Sequence, residues 1–375
     1  MMLTPVLHRS ISDIAPEVWD GLRPDDNPFT THAYLEALEL TGCVGPETGW
    51  YPHHLSLGDD NGIKGVMPLY LKTHSMGEYV FDQGWAEAYE RAGGAYYPKL
   101  VSASPFTPVT GARLLSPDPE VRVALIETAK GLCQANGLSS LHVLFPTEAE
   151  WAEMGAQGWL KRMDQQFWWD NQNYRDFEDF LSALTANRRK VIRRERREIN
   201  AALQMRIVTG NDITEAHLDQ LYGFIENTYD RKWGQPYLTR DFFSLITERM
   251  RDQIVLVFAY DGPDAVAGAI NFRSADTLYG RQWGCGREVP FLHFEVCYYQ
   301  AIDYAIAHGL KRVEAGTQGM HKISRGYLPQ AVYSAHFVAD KALRQPVAHF
   351  LAQEQAHIIR LMRDLEAENS PFKKA

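Results

Sequence analysis

The stretch from Glu314 to Tyr327, EAGTQGMHKISRGY, carries a dense set of side chains that can move protons or bind anions. It follows LKRV, which has the pattern of a short buried strand, and ligands of α/β sheets collect where strands end. Glu314 or His321 is expected to act as a base, and Tyr327 to protonate a leaving group. Lys322 and Arg325 are expected to hold a phosphate or a carbonyl oxygen.

A second candidate site is the run GRQWGCGREVP, which begins at Gly280. Arg281, Gly284 and Gly286 fit the pattern R/Q-x-x-G-x-G/A, in which backbone N–H groups bind a pyrophosphate ahead of a helix N-terminus. The helix is expected to begin near Pro290, since proline suits the first helical position. A glycine-containing turn after an edge strand is the structural alternative.

His293 and Glu295 lie in the first turn of that predicted helix. They are candidates for an acid/base pair, because acylation of an amine requires an ammonium group to lose a proton. The structural alternative is that Glu295 complements the helix dipole and that His293 is a buried histidine with satisfied hydrogen bonds.

A cluster of cations runs from Arg188 to Arg197 and is interrupted by a single acid, Glu195. On a helix, Arg189, Arg193, Arg196 and Arg197 share a face and are expected to bind phosphate groups, although a solvated helix face with i,i+4 ion pairs is equally compatible. The cluster stands out because the whole chain is acidic, with a formal charge of −9.

The stretch KTHSMGEYVFDQGWAEAYERAGGAYYPKL, residues 72–100, is a first-half counterpart rich in aromatic and ionisable residues. Structural and functional interpretations are equally supported there. Its chemistry-bearing residues are His74, Glu78, Asp82, Trp85, Tyr96, Tyr97 and Lys99.

A weak internal duplication predicts the elements that position these residues. Helices are expected over 31–42 and 239–250, and strands over 61–72 and 264–273. Each half then shows a long helix that ends at a glycine, Gly137 or Gly309, and leads into a strand. Two α/β units of similar plan follow, with predicted domains at 1–170 and 171–375 and the active site expected in the second.

Composition excludes several classes of protein. The 375 residues are 45% hydrophobic and 23% charged, which is ordinary for a globular protein. Net negative charge argues against a general nucleic-acid coat, and the longest apolar runs are too short to span a bilayer. The four cysteines form no metal-like pair, so reduced thiols and a cytoplasmic protein are expected.

Several long blocks resemble the bacterial FemAB-like family of peptidoglycan biosynthesis/recognition proteins, a branch of the Gcn5-related N-acyltransferase (GNAT) superfamily. The resemblance implies an α/β (α+β) fold of tandem GNAT-like domains, each a mixed, mostly antiparallel sheet flanked by helices. The blocks are 27–39, 70–100, 105–115, 188–198, 229–243, 292–302 and 314–329.

The resemblance also implies an N-acyltransferase, with acyl-CoA as co-substrate and no metal. The main expectation is transfer of a long-chain acyl group to the amine of a sphingoid base, as in bacterial ceramide synthesis, by an enzyme on the cytoplasmic face of the inner membrane. One alternative is FemX-type transfer from aminoacyl-tRNA to a cell-wall precursor, in which case tRNA is the one nucleic-acid partner expected. The other alternative is an inactive precursor-binding module.

Overall fold

The computed structural model describes residues 3–231, 234–316 and 319–373. Thr317 and Gln318, which belong to the stretch from Glu314 to Tyr327, lie outside the described residues, as do Lys232 and Trp233.

In each half of the chain a helix precedes a run of strands, and a further helix then leads into another strand, as the duplication predicts. The strands are β1 (Thr4–His8), β2 (Trp50–Pro52), β3 (His54–Asp59), β4 (Gly62–Met67), β5 (Tyr70–Lys72), β6 (Lys99–Ser102), β7 (Ser140–Leu144), β8 (Leu160–Asp170), β9 (Gln204–Thr209), β10 (Ile254–Asp261), β11 (Asp264–Arg273), β12 (Thr277–Cys285), β13 (Arg312–Glu314) and β14 (Leu328–Val338).

The helices cover most of the segments between these strands. They are α1 (Pro16–Gly21), α2 (His32–Leu40), α3 (Gln83–Arg91), α4 (Pro119–Ala135), α5 (Glu148–Ala156), α6 (Phe177–Ala183), α7 (Ala186–Ala202), α8 (Glu215–Asp230), α9 (Arg240–Met250), α10 (Leu292–Phe294), a π-helical turn at Glu295–Tyr299, α11 (Gln300–Ala307) and α12 (Lys341–Asn369). A 3-10 helix spans Met320–Arg325.

The chain forms two compact units. Unit 1 comprises Met1–Asp164 and Ala331–Ile359, and unit 2 comprises Gln165–Gln330 and Arg360–Ala375. The first crossing lies near the predicted boundary at 170/171, but the chain then returns to unit 1 for residues 331–359 before ending in unit 2. The structural units therefore do not coincide with two consecutive halves of the sequence.

Each unit contains one pair of parallel strands within otherwise antiparallel neighbours. In unit 1 the strand order is β2-β5-β6-β7-β14, with β6 and β7 parallel, beside a small sheet of order β1-β3-β4. In unit 2 the order is β9-β10-β11-β12-β13-β8, with β12 and β13 parallel. The predicted fold class, α/β with mixed and mostly antiparallel sheets flanked by helices, is confirmed.

The crossover helices explain why these pairs are parallel. Helix α4 connects β6 to β7, and α10, the π-turn and α11 connect β12 to β13. Gly137 and Gly309 follow these helices with φ of +62° and +64°, which confirms the predicted left-handed residue that returns the chain to the sheet. Unit 2 packs its crossover on a core that includes Trp169, Ile302 and Val313.

Candidate functional site

A small cavity opens where the parallel strands of unit 2 separate. β12 and β13 pair only over Thr277–Tyr279 and Arg312–Glu314, after which β12 continues to Cys285 while β13 ends. The cavity has a volume of about 90 Å³. It is lined by Ala269, Ile270, Asn271, Gly280, Arg281, Gln282, Trp283, His293, Cys297, Tyr298 and Ala315.

Two histidines lie at or beside this cavity. His293 lines it and stacks on Trp283, with ring centroids 4.4 Å apart. The Nε2 atom of His321 is 3.0 Å from the hydroxyl of Tyr298, and the two histidine rings are 5.8 Å apart. The structure thus brings together His293 and His321, which the sequence placed 28 positions apart in two separate motifs.

The electrostatic surroundings suit His321 to accept a proton. Burial, followed by the charges of Arg325 and Lys322, lowers the pKa of His321, so the imidazole is neutral near pH 7. Burial raises the pKa of Tyr298 strongly, so its hydroxyl stays protonated. The His321–Tyr298 pair therefore combines a neutral imidazole with a phenol that keeps its proton.

Glu314 ends β13 and is almost fully buried. Burial raises its pKa to about 8, against the weaker opposing charges of Arg312 and Arg281. Its Oε2 atom has no hydrogen-bond partner among the described residues. Ala315, rather than Glu314 itself, lines the cavity, so Glu314 lies beside the site as a carboxyl group that is mostly protonated at pH 7.

Lys322 holds the loop at the end of β13. Its Nζ donates to the carbonyl oxygens of Ala315 at 2.5 Å and Gly316 at 3.0 Å. Burial lowers the pKa of Lys322 to about 8. The geometry therefore assigns Lys322 to positioning the cavity wall, and its predicted contact with phosphate stays a prediction.

Two other predicted residues, Arg325 and Glu295, have partners in the interior of unit 2. Arg325 donates to both carboxylate oxygens of Glu195, at 2.8 and 2.9 Å, and its guanidinium lies over Phe294. Glu295 accepts hydrogen bonds from Arg196 at 2.9 Å and from Gln300 at 2.8 Å. These contacts hold the helices around the cavity, and neither residue lines it.

Tyr327 is fully buried, and its hydroxyl donates to the carbonyl of Tyr298 at 3.2 Å. Burial raises its pKa well above the usual value. Tyr298, its neighbour, lines the cavity and therefore places a phenol there. The sequence predicted that Tyr327 would supply this group.

Most of the predicted pyrophosphate pattern lies within a strand, and its binding of a pyrophosphate stays a prediction. Arg281 to Cys285 belong to β12, where Gly284 pairs with Gly268 of β11, and only Gly286 lies beyond the strand. A Cβ at Gly284 would lie 1.9 Å from the carbonyl oxygen of Phe224 in α8, so this glycine permits strand and helix to approach closely. The helix begins at Leu292, two residues after Pro290.

The basic run forms helix α7, as predicted, but several of its arginines have internal partners. Arg189 donates to the carbonyls of Leu181, Ser182 and Leu184, while Arg196 pairs with Glu295 and with Asp303. Arg193 pairs with Glu178 on the surface. Arg193 and Arg197 remain exposed, so a role in binding phosphate remains a prediction for this part of the helix.

Sequence reasoning missed Tyr298, Trp283 and Asn271 as cavity residues. Tyr298 belongs to a run of apolar and aromatic residues that is typical of a core helix. Trp283 and Asn271 lie on the neighbouring strands β12 and β11. A π-helical turn over Glu295–Tyr299 sets the direction of Tyr298, and such turns are frequent at functional sites. No local pattern in the sequence indicates that turn.

The first-half counterpart, residues 72–100, forms a buried polar network in unit 1. Lys99 donates to Ser75 at 2.7 Å, to Glu78 at 2.8 Å and to Asp82. Tyr96 donates to Asp82 at 2.7 Å. Burial raises the pKa of Glu78 to about 7.

A pair of histidines extends this network. His142 and His336 contact each other through their Nδ1 atoms at 2.6 Å, and Tyr96 lies 3.3 Å from His142. Burial lowers the pKa of both imidazoles, that of His142 to about 3, so both are neutral. Strand β7 therefore carries a buried histidine that contacts its pairing partner on β14.

Comparison with known proteins identifies the family. The FemAB-like family, described as peptidoglycan biosynthesis/recognition, matches residues 10–374. The chain belongs to the FemAB-like family. Among curated proteins, none matches the sequence.

Solved structures share the fold at low sequence identity. FemX is 12% identical, with a TM-score of 0.57 over 93% of this chain and 100% of that chain. The C-terminal domain of a putative lysylphosphatidylglycerol synthetase from Agrobacterium fabrum is 9% identical, with a TM-score of 0.55 over 92% of this chain and 97% of that domain. At these identities the likeness shows the fold alone.

Two further observations concern the described residues. No helix there is long and apolar enough to cross a membrane. No group of three or more metal-ligating side chains is found in the same residues.

Proposed function

We propose that this FemAB-like protein transfers an acyl or aminoacyl group to an amine, with the chemistry at the cavity between β12 and β13. The observation that carries the proposal is the juxtaposition of a neutral His321, hydrogen-bonded to Tyr298, with a cavity at the carboxyl ends of parallel strands. Family membership and the FemX-like fold support this reaction class.

The preferred donor is an aminoacyl-tRNA. The family resemblance implies such a donor for FemX-type enzymes, and both FemX and the putative lysylphosphatidylglycerol synthetase share the fold. Exposed cations of α7, such as Arg197, are available to contact a phosphate backbone. The long-chain acyl-CoA and sphingoid base that the family resemblance implied have no support among these relatives, so the aminoacyl alternative takes first place.

The reaction needs one base and one acid, which a single imidazole can supply in turn. His321 takes a proton from the incoming ammonium group, and the resulting amine attacks the carbonyl carbon of the donor. A C–N bond forms, and the bond from the carbonyl carbon to its leaving oxygen or sulfur breaks. The imidazolium then returns its proton to the leaving group, the nitrogen of the new amide releases its second proton to solvent, and the Tyr298 hydroxyl orients the ring throughout.

Glu314 is the alternative base, and the pH dependence of the rate distinguishes the two. A rate that depends on ionised Glu314 rises as the pH passes about 8, the pKa of that carboxyl group. A rate that depends on neutral His321 is already at its plateau at pH 7, because the pKa of His321 is lowered. We expect the second profile.

The test is to incubate the purified protein with charged tRNAs, acetyl-CoA and palmitoyl-CoA, each with a panel of amines, and to measure amide formation. We expect amide formation from charged tRNA, with a large loss of rate in Tyr298→Phe. Amide formation only from palmitoyl-CoA and a sphingoid base contradicts the preferred donor. No product from any donor, in protein shown to be folded, supports the inactive binding module instead.

A further inference from the structure

Unit 1 contains a leucine-lined cavity that has no part in the proposed reaction. Its volume is about 230 Å³, larger than that of the cavity in unit 2. The cavity is open to solvent at Leu7, Arg9 and Asn136, which are exposed, and is bordered by the buried side chains of Leu69 and Leu100. Its apolar lining consists of Leu7, Leu69, Leu71, Leu100, Leu132 and Leu138.

The local structure explains why these leucines converge. Leu69 immediately precedes β5, two positions before Leu71, so the two side chains lie on the same side of the extended chain. Leu71 pairs directly with Leu100 of β6. Leu132 and Asn136 are four positions apart at the end of α4, and Gly137 then turns the chain so that Leu138 faces the same space.

Polar groups are confined to three positions of the lining: Arg9, His53 and Asn136. The Arg9 guanidinium donates to the imidazole of His53. Among the described residues it forms no ion pair with a carboxylate, and Arg9 is exposed. Burial, with a smaller contribution from Arg9, lowers the pKa of His53, so the imidazole adds no charge near pH 7. The cavity therefore carries one positive charge, that of the Arg9 guanidinium, beside apolar walls, while the Asp13 carboxylate accepts from the backbone N–H of Arg9 at 3.1 Å.

We propose that this cavity binds the aliphatic chain of a free medium-chain carboxylic acid, with the carboxylate at Arg9. An apolar cavity of this kind gains nothing from water, since water requires polar partners, but it binds hydrocarbon readily. A guanidinium suits a carboxylate because it offers parallel N–H donors. Ligand sites commonly show this combination of apolar walls and a few polar groups that fix orientation.

The cavity volume sets the length of the chain. A methylene group occupies a volume similar to that of one liquid water molecule, roughly 30 Å³. A cavity of about 230 Å³ thus accommodates about seven or eight carbons. Each buried methylene is expected to strengthen binding about fourfold until the cavity is full.

The experiment is calorimetric titration of the full chain with sodium butanoate, hexanoate, octanoate and dodecanoate, without donor or amine. We expect affinity to rise about fourfold per methylene up to octanoate, with no further rise for dodecanoate. Binding should also show a negative heat-capacity change, which marks burial of apolar surface. Because no transfer reaction is involved, the result is independent of the proposed function.

Variants separate the apolar interior from the charged group. Leu132→Phe fills the cavity and should weaken octanoate binding at least tenfold, whereas Leu40→Phe, the same change at a position that is 59% exposed on α2, should leave it unchanged. Arg9→Gln should weaken octanoate about fivefold but leave octanol binding unchanged. Thermal unfolding checks each variant, and Leu71→Phe replaces Leu132→Phe if the latter is unfolded.

Any one of four results overturns the proposal. The first is an affinity that does not change with chain length, and the second is octanoate binding to Leu132→Phe or Leu71→Phe as strong as to the unsubstituted protein. The third is binding of octyltrimethylammonium as tight as that of octanoate. Binding to vesicles of anionic phospholipid in the absence of octanoate binding would also contradict it, in favour of a membrane surface as the ligand.

Discussion

In unit 1, the chain that leaves β6 folds back over the end of β7 and fills the space there. The buried guanidinium of Arg113 donates to the carbonyls of Leu144 at 3.0 Å, Gly111 at 2.9 Å and Val109 at 2.9 Å. The Glu150 carboxylate accepts from the backbone N–H groups of Arg113 and Leu114 at 2.8 and 2.7 Å. In unit 2, the corresponding ends of β12 and β13 border a cavity instead.

The difference shows that a pair of parallel strands does not by itself create a functional site. Both pairs have a crossover helix and antiparallel neighbours on each side. Unit 1 uses the end of its pair for a structural arginine and keeps its histidines in a buried network. Unit 2 leaves space beside Tyr298 and His321. Variants that exchange these properties test the comparison.

The largest effect is expected for His321. His321→Gln should lower the rate of transfer about 10² to 10⁴-fold, the usual contribution of a general base, while leaving the protein folded. The matched control in unit 1 is His142→Gln, which should lower stability but leave the rate of the folded fraction unchanged. Transfer assays, corrected for the fraction of folded protein, measure the rates of both variants. A rate loss confined to His142→Gln would reverse the assignment of the site.

Removal of Arg113 should produce the largest loss of stability. Arg113→Met leaves several buried carbonyls without a donor and Glu150 without its nearby charge, so unfolding free energy should fall by about 4 kcal/mol. Arg91→Met, at an exposed arginine of α3, should change it by less than about 0.5 kcal/mol. Urea unfolding measures both, and equal stabilities would show that Arg113 does not hold the end of β7.

The raised pKa of Glu314 predicts a pH-dependent stability. A carboxyl group whose folded pKa is about 8, above its ordinary value of 4.5, favours folding below pH 4.5 and loses that contribution as the pH rises through 8. The stability of the unsubstituted protein relative to Glu314→Gln should fall by up to about 4 kcal/mol between roughly pH 5 and 9. Glu288→Gln, whose parent side chain is 87% exposed, should show no such trend.

The smallest effects are expected for alanine variants at two glycines, which distinguish a packing role from a role in phosphate binding. Gly284→Ala should destabilise unit 2 by about 2 kcal/mol, because its Cβ would meet the α8 backbone. Gly286→Ala should be close to neutral, since its nearest contact would be the Phe224 ring at 3.4 Å. Thermal unfolding and donor binding are measured together. If Gly286→Ala abolished donor binding without loss of stability, the pyrophosphate interpretation would regain support.

Sequence patterns predicted the elements well wherever local chemistry determines them. The helices over 31–42 and 239–250, the paired helix–strand units and the turns at Gly137 and Gly309 follow from periodicity and from the preference of glycine for positive φ. The chain's return to unit 1 after residue 330 was not predicted, because strand pairing over long sequence separations leaves no local signal.

The site was harder to predict because residue type and spacing do not show which way a side chain points. Arg325, Glu295 and Tyr327 have the right chemistry, but Glu195, Arg196 and the Tyr298 carbonyl bind them in the interior. Tyr298 was missed because an aromatic residue in an apolar run is typical of a core. The glycine pattern at Gly284 reflects the approach of a helix, and a backbone contact of this kind is invisible in the sequence.

The most direct test of the site in unit 2 is to fill its cavity with a side chain, as the chain fills the corresponding end of unit 1. Ala315→Leu adds an aliphatic side chain to the cavity wall beside Tyr298. The decisive measurement is the rate of amide formation from charged tRNA and amine by this variant, with thermal unfolding as the control. We predict at least a hundredfold loss of rate at an unchanged unfolding temperature, and a rate equal to that of the unsubstituted protein would contradict the assignment of the site.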